Sequence, residues 1–452
     1  MKQNSPTKLF KNERQIPMNK SGKNTKKHPV KWYKLDLSAN VYPTLQRKDF
    51  SSVFRLSVTL TEPVDPVLLE QAFRLTIPRF PTFASAIRTG LFWRYLEPNP
   101  RPLPPVREDI CNPCMPMPFK SNNRYLIRLY YFENTISLEA FHSLTDGTGG
   151  MYFLRTLTAV YLRLLGHDIP NGHGVLDIHQ EPDPEELEDS YMRYARSRFR
   201  SKRSQEQAYR FRGTKEPFYT LNIISGTISV EDLKKTAARY QASVTEYLNA
   251  VLLYALMQEQ KEQHPFRERP LKLAMPVNLR RFFPSKTMRN FISMVYPSID
   301  PRMGDYTFED IITQVHHYMR YYLNNKFLNA DITTNAATQR HPVIRTVPLF
   351  IKDLFVRQFY IRIQDKQSSA GLTNLGVIDV PPEMAPFVDH FEAIMGQPFS
   401  ARTNCAIASF QDALVINFAS SIVETDIERL FFCKLVEDQV PVTIRSNRSM
   451  EV

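Results

Sequence analysis

The most constraining feature of the sequence is a predicted β-hairpin that ends in a short polar loop and continues into a long apolar helix. Apolar and polar residues alternate over 125–131 and again over 135–141, on either side of a turn at Glu133-Asn134, which is the pattern of paired strands. Apolar residues then recur at helical spacing from Phe153 to Leu165. The loop between strand and helix, His142 to Gly150, is therefore expected to be held at both ends.

Strands and helices alternate along the rest of the chain, which favours an α/β fold. The predicted strands cover residues 53–60, 219–227, 271–277, 406–410 and 414–418. The predicted helices begin at Asp65-Pro66, at the capping box Ser229-Val-Glu-Asp232, and at Ser243, Phe308 and Thr425. The helix over 425–436 is expected to close the fold. We infer two α/β halves joined by a crossover.

The length and composition allow a large core. The chain has 452 residues, of which 42% are apolar and 12% aromatic, so dominant disorder is excluded. We predict a tail over 1–31, a first half over 32–180, a charged crossover over 181–213 and a second half over 214–452. The crossover has an acidic block, then a basic one, and few apolar side chains to form a core. The basic block either attracts the phosphates of a ligand or is a plain solvated segment.

The basic charge is concentrated at the N-terminus. Residues 1–32 hold nine Lys or Arg against the single acid Glu13, which accounts for most of the net charge of +12. Such a polar segment cannot bury enough apolar surface to fold, so we expect it to be disordered. It is either a solvated tail without a partner or a peripheral contact with anionic lipid. We expect no nucleic-acid partner.

Cysteine use and hydropathy predict a cytoplasmic protein. The four cysteines, at positions 111, 114, 405 and 433, are too few for a disulfide framework and suit a reducing compartment. Cys111-Asn-Pro-Cys114 has the spacing of half a zinc site, but no second half lies at a fitting distance, so we expect no metal. The longest apolar run, 247–257, is too short to span a bilayer.

The loop after the hairpin carries the residues best suited to chemistry. It contains His142-Ser-Leu-Thr-Asp146-Gly147, which places an imidazole at a strand end and a carboxylate at a helix start. A neutral imidazole can take a proton from an attacking hydroxyl or amine and return it to a leaving group. The glycines of the loop leave room for a substrate. The alternative is a hydrogen-bonded loop histidine without a catalytic role.

At these residues the sequence resembles the chloramphenicol acetyltransferase-like acyltransferases, which include alcohol acetyltransferases, polyketide-associated acyltransferases and condensation domains. The motif His142–Gly147 is similar to the active-site motif of this family. Supporting segments follow the family's order along the chain and lie at 79–90, 275–281, 289–291 and 373–376. Phe141 stands where condensation domains have a second histidine, and the Asp-Phe-Gly-Trp-Gly element of the plant branch is missing from the sequence. The resemblance is therefore nearest to the alcohol and lipid O-acyltransferases.

The resemblance implies two similar subdomains, each a mixed sheet with flanking helices, and an active-site tunnel between them. It implies acyl-CoA, expected to be acetyl-CoA, as co-substrate with no tightly bound cofactor, and a small alcohol or lipid as acceptor. Two alternatives stay open. One is an acyl carrier protein as donor, and the other is a member that binds an acyl ligand or a partner without catalysis.

The resemblance also implies roles for particular residues. His142 would be the general base, whereas Asp146 would turn away from the substrate and pair with Arg280 or Arg281. The oxyanion of the intermediate would be bound by Thr373, Asn374 and the backbone N–H of Gly147. The remaining support residues implied are Asn278, Arg280 and Arg281.

Overall fold

The computed structural model describes residues 32–36, 38–46, 51–201, 206–217, 220–263, 268–362, 364–396 and 403–448. The chain from Trp32 onward forms one compact unit. The tail over 1–31 lies outside the described residues, so its predicted disorder and lipid contact stay predictions.

Strands and helices alternate as expected for an α/β chain. The strands are β1 Tyr33–Lys34, β2 Val53–Leu60, β3 Ser85–Thr89, β4 Arg94–Pro98, β5 Arg107–Glu108, β6 Ile127–Phe132, β7 Thr135–Phe141, β8 Asn222–Ser229, β9 Leu271–Asn278, β10 Ile292–Val295, β11 Ser298–Ile299, β12 Ala370–Val377, β13 Val388–Met395, β14 Thr403–Phe410, β15 Ala413–Ser420 and β16 Thr443–Ser446. The helices are α1 Val41–Leu45, α2 Pro66–Thr76, α3 Gly147–Leu164, α4 Ser190–Tyr194, α5 Val230–Arg239, α6 Val244–Gln263, α7 Phe308–Tyr322, α8 Asn325–Arg340, α9 Pro342–Thr346, α10 Leu349–Arg362 and α11 Asp426–Glu437.

A five-stranded sheet in the order β13-β2-β7-β6-β5 carries the predicted hairpin. The hairpin is β6–β7, with Phe132 paired to Thr135 across the predicted turn. Helix α3 packs on this sheet through apolar residues such as Phe153 and Leu157, which belong to the same core cluster as Leu138. The strand, loop and helix predicted from residues 125–165 are thus present.

A larger mixed sheet has the order β10-β9-β12-β14-β15-β8-β16, with β11 also paired to β9. Strand β12 runs parallel to both β9 and β14, whereas the other pairs are antiparallel. Apolar residues of α6, α7 and α11 pack against one face of this sheet. Together the two sheets and their flanking helices give the predicted fold class.

One strand crosses between the predicted halves. Strand β13, from the second half of the chain, pairs antiparallel with β2 of the five-stranded sheet, with Ala393 opposite Leu56. The core of the first sheet therefore includes residues from beyond position 377. The boundaries at 180 and 213 stay a prediction, because the described chain from Trp32 is one compact unit.

Two expectations differ from the structure. The crossover was expected to offer few core side chains, yet Tyr191 and Ala195 pack beside α8, and Tyr209 and Phe211 join the core of the larger sheet. Aromatic side chains between charged ones were enough to anchor this segment. The helix over 425–436 does not close the fold, because β16 follows it and adds an edge strand beside β8.

A third sheet of three strands, in the order β1-β4-β3, lies in the first part of the chain. Its turn region contacts α10, because the N–H of Leu349 donates to the carbonyl oxygen of Leu91 at 2.7 Å. Within the described residues, no helix combines the length and hydropathy needed to cross a membrane.

Candidate active site

The loop that begins at His142 is fixed at its first residue by the neighbouring strand. The backbone N–H of His142 donates to the carbonyl oxygen of Ser52 at 2.9 Å. This bond adds one step to the β2–β7 ladder beyond Phe141. The loop ends at Gly147, where α3 begins. A loop held at both ends can present one side chain in a fixed orientation.

Asp146 joins this loop to the second half of the chain. Its side chain is buried, with the residue 2% exposed, and it accepts hydrogen bonds from Nη1 and Nη2 of Arg280 at 2.8 and 3.3 Å. The backbone N–H groups of Gly149 and Phe291 donate to the same carboxylate at 3.0 and 2.9 Å. Both carboxylate oxygens are thus engaged with protein donors. Asp146 caps α3 and holds it against the segment at 280–291.

Two arginines were predicted as partners of Asp146, and Arg280 is the one that contacts it. Its guanidinium also donates to the carbonyl oxygens of Thr287 and Arg289. Arg281 is exposed. A Cβ atom on Gly376 would lie 3.0 Å from its Nη2, so the guanidinium lies beside Gly376. Arg280 therefore positions the loop, and Arg281 lies beside the turn that ends the 373–376 segment.

The imidazole of His142 lies between two aromatic side chains. The ring of Tyr42, on α1, stacks on it with centroids 4.5 Å apart and planes 9° from parallel. The ring of Phe54, on β2, lies 5.0 Å away at a tilt. These contacts leave the imidazole half-buried and limit its rotation.

Asn290 determines which nitrogen of His142 carries the proton. The amide nitrogen Nδ2 of Asn290 donates to the backbone carbonyl oxygen of His142 at 3.0 Å, so the amide oxygen Oδ1 must face the ring. Oδ1 lies 3.2 Å from Nδ1 of His142. An amide oxygen can only accept, so Nδ1 is protonated and Nε2 has the free lone pair in the neutral ring.

The surroundings of His142 also favour the neutral ring. Burial lowers the pKa of the imidazole below its usual value of about 6.5, because the cation loses hydration. The hydrogen bond to the backbone carbonyl of His142 itself, the negative charge of Asp146, the contact with Asn290 and the hydrogen bond to the backbone of Thr145 oppose this effect without reversing it. At neutral pH the ring is therefore a base with Nε2 able to accept a proton.

Two segments of the second half reach the start of α3. A methyl group on Gly147 would lie 2.7 Å from Cδ2 of Leu375, so β12 contacts the loop directly. The side-chain amide of Asn278, at the end of β9, donates to Oγ1 of Thr148 at 3.0 Å. Thr373 lies on β12 opposite Ala406 of β14, just before the irregularity between Asn374 and Val377. The loop, β9 and β12 thus meet at one place.

The side chain of Asn374 forms hydrogen bonds with residues outside the loop. Its Nδ2 donates to Oγ1 of Thr245 at 3.1 Å, and its Oδ1 accepts from the N–H of Gly376 at 2.8 Å. These bonds hold the turn at Gly376, where φ is +77°, against the start of α6. The predicted oxyanion role of Asn374 stays a prediction, as do those of Thr373 and the Gly147 N–H.

Sequence reasoning did not assign Tyr42, Phe54 or Asn290 a role at this site. Asn290 lies within the 289–291 segment that the resemblance identifies, but no sequence pattern indicates its contact with His142. Phe54 is one apolar residue in a predicted strand. Tyr42 is on the five-residue helix α1, which is too short to give a recognisable periodic pattern.

No protein-family model matches the chain, and no curated protein sequence does. Solved structures do match. TRI101 of F. sporotrichioides, in complex with coenzyme A and T-2, is 13% identical with a TM-score of 0.60, covering 92% of this chain and 99% of that one. TRI3 trichothecene 15-O-acetyltransferase from Fusarium sporotrichioides is 11% identical with a TM-score of 0.57, covering 90% and 94%.

A condensation domain has the same architecture. The first condensation domain of the CDA synthetase is 16% identical with a TM-score of 0.56, covering 91% of this chain and 99% of that chain. Because these matches extend over nearly the whole of each protein, they establish the fold of the chain. At such identities they establish nothing about its activity.

Proposed function

We propose that this chain, which has the chloramphenicol acetyltransferase-like fold, transfers an acyl group from a coenzyme A thioester to the hydroxyl group of an alcohol or lipid. We expect the acyl group to be acetyl. The observation that carries the proposal is the state of His142: its pKa is lowered, and Asn290 engages Nδ1. Nε2 is then free to accept a proton.

The proposed reaction needs no covalent enzyme intermediate. Nε2 of His142 takes the hydroxyl proton as the acceptor oxygen attacks the thioester carbonyl carbon. The new C–O bond gives a tetrahedral oxyanion, whose collapse breaks the C–S bond. The departing thiolate takes the proton from the imidazolium, so the histidine returns to its neutral state. Positioned proton transfer of this kind contributes about 10²- to 10⁴-fold.

The oxyanion donors we propose are Thr373 and the backbone N–H of Gly147. The first turn of a helix has N–H groups outside the helical ladder and a partial positive charge, and Gly147 is the first residue of α3. Asn278, through Thr148, and Arg280, through Asp146, would position that turn. Arg281 is a candidate to contact an anionic part of the donor, since it is exposed beside Gly376.

The names of the matched structures support a CoA donor and a hydroxyl acceptor. One is a complex with coenzyme A and T-2, and another is named a 15-O-acetyltransferase. The match to a condensation domain favours a second candidate, in which an acyl carrier protein is the donor. Phe141, where condensation domains have a second histidine, is the reason that we prefer transfer to a hydroxyl.

We also propose a cytoplasmic location. Cys111, Cys114, Cys405 and Cys433 are all free thiols, which suits a reducing compartment. Burial raises the pKa of the Cys114 and Cys405 thiols, so these two stay protonated and unreactive. Microscopy of a fluorescent fusion tests the location, and secretion of the fusion would contradict it.

The test of the proposed activity is thiol release from acetyl-CoA and longer acyl-CoA thioesters with a panel of alcohols. We expect His142→Ala to lower turnover by about 10²- to 10⁴-fold without changing the melting temperature substantially. The matched control is His317→Ala, because His317 is an exposed histidine on α7.

Three outcomes of this assay are informative. Wild-type turnover by the His142→Ala variant would refute the mechanism. Activity with an acyl carrier protein thioester, and none with any CoA thioester, would favour the carrier as donor. Binding of acyl-CoA without turnover, for every acceptor in the panel, would favour a non-catalytic ligand-binding protein.

A further inference from the structure

The segment from α9 to α10 turns large apolar side chains toward solvent. Phe350 and Phe355 on α10 are each 70% exposed, and Leu354 and Phe359 are exposed on the same helix. Monomeric proteins rarely expose a continuous apolar surface of this kind unless it binds a partner or a membrane. These residues are therefore candidates for an interaction surface.

Helix α10 is fixed in place at its first turns. Nζ of Lys352 donates to the carbonyl oxygen of Phe92 at 2.8 Å. Asp353 accepts from Nη1 of Arg94 at 3.0 Å and from Oγ1 of Thr44 at 2.9 Å. The helix is thus anchored to the three-stranded sheet and to α1, while its solvent side remains open.

The two tryptophans of the chain lie on the neighbouring sheet, and both are exposed. Trp32 is 55% exposed and Trp93 is 44% exposed. The ring of Trp32 lies 5.9 Å from that of Tyr95. Trp93 lies between Phe92 and Arg94, and both of these neighbours contact α10. Tryptophan and tyrosine favour the interface between water and lipid.

Positive charge surrounds these apolar groups. Between residues 341 and 362 the sequence has four basic residues and the single acid Asp353, which forms an ion pair with Arg94. Burial, and to a lesser degree the positive charge of Lys34, lower the pKa of Lys352. We define the α10 face by its exposed apolar and cationic residues, which are Trp32, Lys34, Leu91, Trp93, Arg345, Phe350, Leu354, Phe355, Arg357, Phe359 and Arg362.

We propose that the α10 face binds the surface of an anionic lipid bilayer. Apolar and aromatic side chains would enter the headgroup region while the surrounding cations contact anionic lipid. Pairing with a second copy through a twofold axis would instead bring the same cationic face against itself. The charge of the face therefore favours a bilayer over a dimer.

Docking through this face would bring the candidate active site close to the bilayer. Asp353 of α10 contacts Thr44 of α1, and Tyr42, two residues earlier on α1, stacks on His142. An acceptor or acyl chain leaving the membrane would then have a short path to the imidazole. This consequence depends on the proposed acyltransferase activity, whereas membrane binding does not.

Tryptophan fluorescence tests the proposal directly, because both tryptophans belong to the α10 face. The full chain is mixed with vesicles of phosphatidylcholine alone, or of phosphatidylcholine with phosphatidylserine. We expect cosedimentation, a blue shift of the emission and quenching by brominated lipid with the anionic vesicles, all weakened by added salt.

Variants locate the binding surface. Phe350→Ser, Phe355→Ser and Phe359→Ser together should weaken vesicle binding by at least about tenfold. The matched control replaces three exposed apolar residues on other elements, through Val67→Ser, Ile110→Ser and Val436→Ser. A truncation that removes residues 1–31 should retain the blue shift. The six side chains replaced by serine are all exposed, and melting temperatures verify that each variant folds.

Several results would overturn the proposal. They are failure of the wild-type chain to bind anionic vesicles, binding that the three serine substitutions on α10 leave unchanged, and loss of the blue shift on removal of residues 1–31. Self-association in sedimentation equilibrium that the α10 substitutions abolish, without vesicle binding, would assign the face to a dimer. Thiol release from acyl-CoA in detergent is measured in parallel, so that a failure of membrane binding is distinguished from a failure of the acyltransferase proposal.

Discussion

The imidazole of His142 combines two properties that usually oppose each other. It is removed from water by Tyr42 and Phe54, which lowers its pKa, and yet its Nδ1 has a hydrogen-bond acceptor in Asn290. A partly buried ring with an unsatisfied N–H would be costly. Asn290 removes that cost and at the same time directs the lone pair to Nε2, so one amide determines both the orientation and the tautomer of the base.

The pH dependence of turnover tests this account of the base. Because the ring must be neutral to accept a proton and its pKa is lowered, we expect kcat/KM to fall on the acid side with a midpoint below about 6.5. Asn290→Asp introduces a negative charge beside Nδ1, favours the imidazolium and should move the midpoint to higher pH. The control Asn325→Asp makes the same change of charge at an exposed residue of α8. A midpoint that Asn290→Asp leaves in place would show that another group limits the rate.

The sequence could locate His142 but could not give its tautomer. The motif from His142 to Gly147 follows a clearly alternating strand, so the position of the imidazole at a strand end is a local property. Its contact with Asn290 joins residues 148 positions apart. Which of the polar residues of the second half would meet the ring depends on how β9 and β10 pair, and no local pattern records that.

At the level of elements, the loop before α3 and the first turn of this helix pack against the backbone of Met288. The Asp146 side chain accepts a hydrogen bond from the backbone N–H of Gly149 in the first turn of α3. Oγ1 of Thr145 donates to the carbonyl oxygen of Met288 at 2.6 Å. A Cβ on Gly149 would lie 2.1 Å from that same carbonyl oxygen. The absence of a side chain at Gly149 is therefore what allows the two segments to come this close.

A pair of glycine substitutions tests this packing. Gly149→Ala forces a methyl group against a backbone carbonyl that cannot move aside, so we expect it to lower the free energy of unfolding by about 2 kcal/mol. Gly147→Ala meets only the end of the flexible Leu375 side chain and should cost less than about 1 kcal/mol. Urea denaturation of both variants gives the comparison. Equal free energies of unfolding for the two variants would mean that Gly149 does not lie against the carbonyl group of Met288.

Elements with one apolar face could be predicted, and those without one could not. The strand over 53–60 and the helix after Asp65 match β2 and α2, because each has one periodic apolar face that packs in the core. In β2 the polar residues Arg55 and Ser57 on the other face are buried as well. Helix α10 was not predicted. Its apolar residues are distributed around the helix and remain largely exposed, so they follow no core-facing period.

On the scale of the whole molecule, the larger sheet packs on both of its faces. Along β14, Cys405 and Ile407 belong to the core with α6 and α11, whereas Ala406, Ala408 and Phe410 belong to the core shared with the five-stranded sheet. Strand β13 joins the two, because it pairs with β2 and its Phe391 ring lies 5.5 Å from that of Phe410. Sequence patterns predicted β14 as a strand but could not assign β13 to a sheet, because its partner is more than 300 residues away.

This exchange of a strand predicts that the two sheets unfold together. Phe391 is fully buried, so Phe391→Ala should lower the free energy of unfolding by about 3–5 kcal/mol. Native-state hydrogen exchange then gives the effect at each sheet: the slowest amides of β2 and of β15 should lose the same protection, since both exchange only through global opening. Phe153→Ala removes an α3 ring that packs against Phe73 of α2 and against Phe83, and it should reduce the protection of both sheets equally for the same reason. If either variant reduced the protection of β2 while β15 kept that of the wild type, the sheets would be separate cooperative units, and β13 would be a contact between them rather than a part of one fold.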